Sequence, residues 1–294
     1  MRPQLDPDRR RPTAVEAGRR PGRVAAQGRF AKQLLRTSLR GSLAQRGAFW
    51  MQVAFMAVNN LMYLVTWWVL FERFPSIGGW HLSDMIALYG TSAVGFGLFV
   101  TLAGGARDLA KAICDGDLDS YLTQPKSVVA QLVARRSYAS GWGDVLSGLF
   151  LITASGYLSP VTAPWVALTA FCSGCIFVAS AVVLHSVAFW LGSGNSVARM
   201  ATEFLVLFCC YPESIFSGRL RWVFLTVAPA GWIAFWPLGR LREFAAGTSG
   251  WGTALAAGAL LVAVTMAYGA LALWVFGRGL RRYSSGNRIG LRVG

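Results

Sequence analysis

Long apolar runs, most with basic residues gathered at one end, constrain this chain more than any other feature in it. A bilayer's hydrocarbon core is about 30 Å thick and takes about 20 apolar residues to cross as a helix. About six stretches qualify or come close: residues 48–71, 82–104, 143–158, 164–191, 200–211 and 251–276. The third holds Asp144 near its start, and the fifth is short and holds Glu203. Only 14% of the 294 residues are charged and 54% are hydrophobic, whereas a soluble domain carries about 25% charged residues. The expected fold is an all-α polytopic membrane protein of about six transmembrane helices. Its function must concern the membrane.

The formal net charge of +15 would suggest nucleic acid in a soluble protein. Here its placement speaks to orientation instead. Twelve Lys and Arg precede the first run, five lie between the second and third, one between the fourth and fifth, and five after the last. That side holds 23 of the 28; the other holds Arg73, Arg219, Arg221, Arg240 and Arg242. The positive-inside rule puts both termini in the cytoplasm, and an even number of spans agrees. No nucleic-acid partner is expected.

The first 28 residues are rich in Arg, Pro and Gly, with no apolar stretch to serve as a signal-peptide core. This basic tail is expected to be disordered, solvated near anionic lipid. Residues 30–46 then place Phe30, Leu34, Leu35, Leu39 and Leu43 at helical spacing among Arg and Lys. That pattern predicts an interfacial helix lying in the headgroup plane, or a frayed extension of the first span. The five Cys form no framework: Cys172 and Cys175 lie within one apolar run, and Cys209 and Cys210 within another, where free Cys packs as a small hydrophobe.

Polar groups inside the runs are few. Asn59 and Asn60 sit mid-span, and an uncompensated amide in hydrocarbon is costly, so at least one should face another helix. Ionisable groups at membrane depth are functional candidates by default; here they are Asp144, His185 and Glu203. Each has a plain alternative: His185 as a satisfied interior histidine, and Glu203 as the partner of Arg199, one helical turn earlier.

Two connections stand out. Residues 106–127 form a polar loop in which residues 106–114 favour helix and Asp115, Gly116 and Asp117 break it, with Pro125 ending any further turn. Asp115, Asp117 and Asp119 resemble the start of a calcium loop. The match fails at Ser120 and Lys126, so no metal site is expected. The loop looks like something presented to a cytoplasmic partner. The fifth run reaches Tyr211, Pro212 and Glu213, and residues 214–244 follow. They are too apolar for a water-exposed loop and too broken by Pro229, Gly231 and Pro237 for a clean span. A re-entrant or interfacial hairpin fits, since non-helical backbone at membrane depth must be buried in protein or line a cavity. Trp222, Trp232 and Trp236 would anchor it at the outer interface.

Catalytic signatures are missing from the sequence. Gly-Lys never occurs, so the chain has no Walker A loop; with two His it has no H-E-x-x-H site, and no G-x-S-x-G elbow occurs. No enzymatic activity and no bound cofactor are expected.

Three stretches in order carry a family resemblance: HLSDMIALYG leading into R-D-L-A-x-x-I-x-x-G-x-L-D-x-Y-L-x-x-P (residues 107–125), then Y-P-E-S-I-F-S-G (211–218), then R-W-V-F-L-T-V-A-P-A-G-W-I-A-F-W-P (221–237). Together they resemble the permease subunits of type-2 ATP-binding-cassette exporters, in the branch of six-span permeases. The likeness runs from about residue 30 to 282. The basic tail at 1–28 lies outside it, leaving a transmembrane permease domain at 29–282 and a cytoplasmic tail at 283–294. The likeness implies a coupling helix in the loop after the second span, with Arg107, Asp108, Lys111, Asp115, Asp117, Asp119 and Tyr121 as docking candidates. It further implies an outer re-entrant segment around Tyr211, Pro212, Glu213, Pro229, Gly231 and Pro237. ATP and Mg²⁺ would bind a separate ATPase subunit, and substrate would move between two permease protomers, identical or sister chains, in the cytoplasmic membrane. Export rather than import rests on the resemblance alone, and no substrate is implied. A secondary transporter, with a coupling-ion site near the midplane, and a membrane scaffold are the competing readings.

Overall fold

A computed structural model describes residues 33, 36–37, 40–41, 43–124, 126–192, 194–215 and 229–284. Among them the chain is helical, with no strand beyond an isolated bridge between Ile77 and Trp80. The long helices are α1 (Arg46–Arg73), α2 (Leu82–Ala103), α7 (Ala163–Ser186) and α11 (Trp251–Leu280). Between α2 and α7 lie a 3₁₀ turn (Gly104–Asp108), α3 (Leu109–Cys114), α4 (Asp119–Leu122), α5 (Val128–Ala134) and α6 (Ser140–Ala154). After α7 come α8 (Ala188–Leu191), α9 (Asn195–Cys209) and α10 (Trp236–Ala245).

Among the described residues, four helical stretches are long and apolar enough to cross a membrane: Arg46–Arg73, Leu82–Cys114, Ala163–Leu191 and Trp251–Leu280. The chain is therefore an all-α polytopic membrane protein. The third and fifth apolar runs form α6 and α9, of 15 residues each. At 1.5 Å per residue each is about 22 Å long, shorter than the hydrocarbon core. Both begin earlier than their apolar runs. Helix α6 ends at Ala154, two residues before Gly156, whose φ of +79° no α-helix continues. Helix α9 stops three residues before Pro212, which disfavours helix in the residue before it.

Burial divides the four spans. Helices α2 and α7 are central, whereas α1 and α11 leave most of their apolar side chains exposed, Phe55, Met62, Leu255 and Met266 among them. An apolar surface of that extent suits lipid. The central packing is close because small residues meet. A Cβ added to Gly97 of α2 would stand 2.6 Å from Gly141 O of α6, and one on Gly143 would stand 2.6 Å from Val53 O of α1. With little hydrophobic drive between helices in lipid, such backbone approach is a main source of association. Phe99 and Phe177 stack at 6.2 Å between α2 and α7.

Of the predicted interfacial helix, Phe30, Leu34, Leu35 and Leu39 lie outside the described residues. Gln33, Arg36, Thr37, Arg40, Gly41 and Leu43 are helical and exposed. The basic tail, Pro125, Trp222 and residues 285–294 also lie outside.

Candidate functional site

The loop after the second span is built against the spans on one side and open on the other. Gly105 starts it, so close to Leu132 O that no side chain fits between. The Arg107 guanidinium sits 5.9 Å from the Phe96 ring and 5.8 Å from that of Tyr138, a cation–π setting on two faces. Asp108 accepts from Arg136 Nη1 at 2.8 Å and from Tyr138 OH at 2.9 Å, and its carbonyl accepts from Arg135 Nη2 at 3.3 Å. Both residues are thereby tied to the segment between α5 and α6.

Helix α3 follows, with Leu109, Ala110, Ala112 and Ile113 buried and Lys111 exposed. Its Ala110 N–H donates to Nδ1 of His185 at 3.3 Å, and His185 is fully buried near the end of α7. The histidine therefore joins the fourth apolar run to the loop. Gly116 at φ +77° ends the helical stretch where the Asp-Gly-Asp triplet predicts a break. Leu118 is then fully buried and anchors α4. Asp117 is half-exposed and lies 4.0 Å from Arg135. Asp115, Asp119 and Tyr121 are partly buried, while Ser120, Leu122, Thr123 and Gln124 are exposed. Burial and the neighbouring Asp119 and Asp117 push the Tyr283 phenol up to about 12, which holds it neutral beside the acidic turn. The result is a rigid platform whose outward rim carries Lys111, Asp117 and the 120–124 segment.

A second polar cluster lies within the spans. Asn60 is buried and donates through Nδ2 to Asp144 Oδ1 at 3.0 Å and to Ser147 Oγ at 2.6 Å. Tyr89 OH donates to Asn60 Oδ1 at 2.7 Å. Asp144 is 4% exposed, and its Oδ2 has no hydrogen-bond partner. Tyr63 stacks on Tyr89 at 4.1 Å and donates to the Cys210 carbonyl. The cluster joins α1, α2, α6 and the end of α9. Asn59 stays exposed, so one of the two adjacent amides faces another helix. Glu203 is exposed on α9, as is Arg199, and among the described residues no ion pair joins them.

The segment after α9 forms the third feature. Pro212 is buried, Tyr211 is half-buried against Tyr63 and Trp67, and Glu213 opens a 3₁₀ turn (Glu213–Ile215). Residues 216–228 lie outside the described residues. Pro229 precedes a π-helical turn (Gly231–Phe235) running into α10. Pro237 explains this turn: it has no N–H to offer the carbonyl one turn back. Ser173 Oγ supplies the missing donor to Ile233 O at 2.7 Å, and Trp165 Nε1 donates to Pro237 O at 3.0 Å. Both donors belong to α7, so the broken backbone is buried in protein, as membrane depth requires. Trp232 and Trp236 pack on one another at 5.3 Å.

Sequence reading missed the residues that fasten this segment. Asp84, 1% exposed, accepts from Arg242 Nη2 at 2.6 Å, from Tyr157 OH at 2.5 Å and from His81 N–H at 2.8 Å. Arg242 also donates to Gly79 O at 3.2 Å and lies 5.2 Å from the Trp80 ring. Burial, and then the hydrogen bond to Asp84, raise the Tyr157 phenol above its ordinary value. The one available signal was an acidic residue in a helix's first turn beside an apolar run, which by itself marks a helix start. Among the described residues no three His, Cys, Asp or Glu side chains converge as a metal site, and all five Cys are free.

A family model described as ABC-2 family transporter protein matches residues 57–286, which include all three features. No curated protein and no solved structure matches.

Proposed function

The chain belongs to the ABC-2 transporter family, and on that premise we propose that this permease component forms a substrate pathway with a second permease protomer and couples to a separate ATPase through residues 107–121. Membership makes it a membrane component of an ABC transporter. The proposal adds what the chain contacts, and where.

The observation that carries the coupling reading is the two-sided construction of the loop. Leu109, Ala110, Ala112, Ile113 and Leu118 are buried against the spans, while Lys111 and Asp117 face outward. A segment that must pass a rigid-body motion from one subunit to the helices of another needs this division. Its inner face must not slip, and its outer face must be polar enough to sit in water before docking. Arg107 and Asp108 are spent on the inner side, on Tyr138 and Arg136. The docking candidates thereby narrow to Lys111, Asp117 and the segment that follows.

In this mechanism ATP closes two cytoplasmic ATPase subunits, and the platform turns that closure into a tilt of α2 and, through His185, of α7. The permease supplies two states whose equilibrium the ATPase biases. Both termini lie in the cytoplasm, the ATPase carries ATP and Mg²⁺, and transport runs outward. A photocrosslinking residue at position 111 tests the contact. Crosslinks to an ATP-binding-cassette ATPase, absent when the same residue replaces exposed Leu255, support it. Equal labelling from both sites counts against it.

A further inference from the structure

A groove of about 670 Å³ lies between α7 and α11, and none of its lining residues belongs to the loop or the polar cluster. Leu168 stands on one side and Ala254, Gly258, Ala259 and Val262 on the other. Gly258 is what keeps it open, since a Cβ there would stand 3.2 Å from Leu168 Cδ2. From Trp251 to Ala263 the groove follows α11 for about 18 Å at 1.5 Å per residue. One leaflet of a 30 Å hydrocarbon core is about 15 Å deep. The groove thus starts at a helix end and stops near the membrane's middle.

Its wide wall is apolar and its end is not. Phe244, Ser249 and Gly250 line that end. Ser249 Oγ donates to Glu243 Oε2 at 3.0 Å, and Arg240 Nη1 pairs with the same oxygen at 2.8 Å. The Arg240 guanidinium lies 6.0 Å from the Trp236 ring, partly exposed. The Ser249 hydroxyl therefore lines the groove's end beside Trp251, at the height where Trp marks a membrane interface, and the Arg240 guanidinium stands behind it across Glu243. A second copy's transmembrane helix is a poor occupant, because it must continue past the interface and the 244–250 turn stands in its way. An acyl chain ends at headgroup level and meets no such obstacle.

We propose that this groove holds an acyl chain of one glycerophospholipid, its headgroup beside Ser249 and Arg240. The proposal rests on the membrane-spanning fold and not on the coupling reading, so either can fail without the other. It is tested on the full chain, purified in detergent and washed extensively, by native mass spectrometry and lipid extraction. The expected result is about one diacyl phospholipid retained per chain. Ala259→Phe and Gly258→Leu should each lower retention roughly tenfold, the equivalent of about 1.4 kcal/mol. Ala259 is exposed, so its variant keeps the test valid if Gly258→Leu fails to fold. Ser249→Ala with Arg240→Gln should weaken retention while leaving the chain monodisperse. Wild-type protein carrying only detergent, or a non-lipid small molecule, overturns the proposal. So does undiminished phospholipid in a folded Ala259→Phe variant.

Discussion

Arg242 Nη2 meets Asp84 Oδ2 at 2.6 Å, joining the start of α2 to α10 across 158 residues of sequence. Asp84 is buried, and Arg242 is one-third exposed. Tyr157 and the His81 N–H complete the carboxylate's shell. Helix α10 is thereby fastened to a central span.

Cutting this pair should loosen α10. Removing one partner of a fully buried pair costs about 3–5 kcal/mol. Arg242 is partly solvated and Asp84 keeps two other donors, so Arg242→Gln should cost less, about 1–3 kcal/mol by the loss of a charged hydrogen bond. Asp84→Asn combined with Arg242→Gln should cost less than the two singles added together. Thermal unfolding in detergent, run as a double-mutant cycle, checks this; strict additivity would show that the pair contributes no coupling.

Ser173→Ala leaves the Ile233 carbonyl without its donor at the π-helical turn. A buried orphan acceptor costs about 1–3 kcal/mol. The unfolding midpoint should fall, and amide exchange should rise through 231–238 before it rises in α11. A wild-type exchange pattern would show that the turn needs no donor from α7.

Gly97→Ala should push α2 from α6, because its new Cβ would stand 2.6 Å from Gly141 O. Overpacking of this kind costs about 1–3 kcal/mol. Gly277→Ala on α11, where nothing lies within 4 Å, should be neutral or stabilising by helix propensity. Comparing the two unfolding midpoints in one detergent separates contact from propensity.

Tyr283 gives a pH test. Its phenol is pushed from 10.0 up to about 12, so the folded state binds this proton more tightly than the unfolded chain does. The contribution is fully present below pH 10 and is lost as pH rises from 10 toward 12. Tyr283→Phe should remove that part of the alkaline decline and leave stability at pH 7 nearly unchanged. Ultraviolet titration of tyrosinate in both proteins reads it: the component lost in the variant should titrate near 12, and a lost component centred near 10 would place Tyr283 in open solvent.

What the sequence made legible was local. A span is a contiguous apolar run, so its existence is read from one window; an Asp-Gly-Asp triplet announces its own break, and Gly116 sits there at positive φ. Pro229, Gly231 and Pro237 marked broken backbone, because proline acts on its immediate neighbours. The long-range pairs were not legible. Asn60 and Asp144 are 84 residues apart, Asp84 and Arg242 nearly twice that, and neither periodicity nor charge order says which polar group meets which. Asn60 and Asp144 were both picked out as intramembrane polar groups, yet only the packing of α1 on α6 makes them partners. Arg107 and Asp108 were read as docking residues alongside Lys111. Tyr138 and Arg136, which turn them inward, arrive from the next hairpin. Apolar run length also misjudged α6 and α9, whose helices begin upstream of their runs.

The most direct test of the central claim is affinity capture of the tagged chain from gently solubilised native membranes, with mass spectrometry of what accompanies it. The account predicts an ATP-binding-cassette ATPase with a Walker A loop in near-stoichiometric amount, lost or strongly reduced with Lys111→Glu plus Asp117→Lys and retained with Arg242→Gln. An ATPase that stays bound despite both charge reversals would contradict docking through this loop. Capture without any ATPase, in a detergent that preserves known complexes, would contradict the permease–ATPase assembly itself.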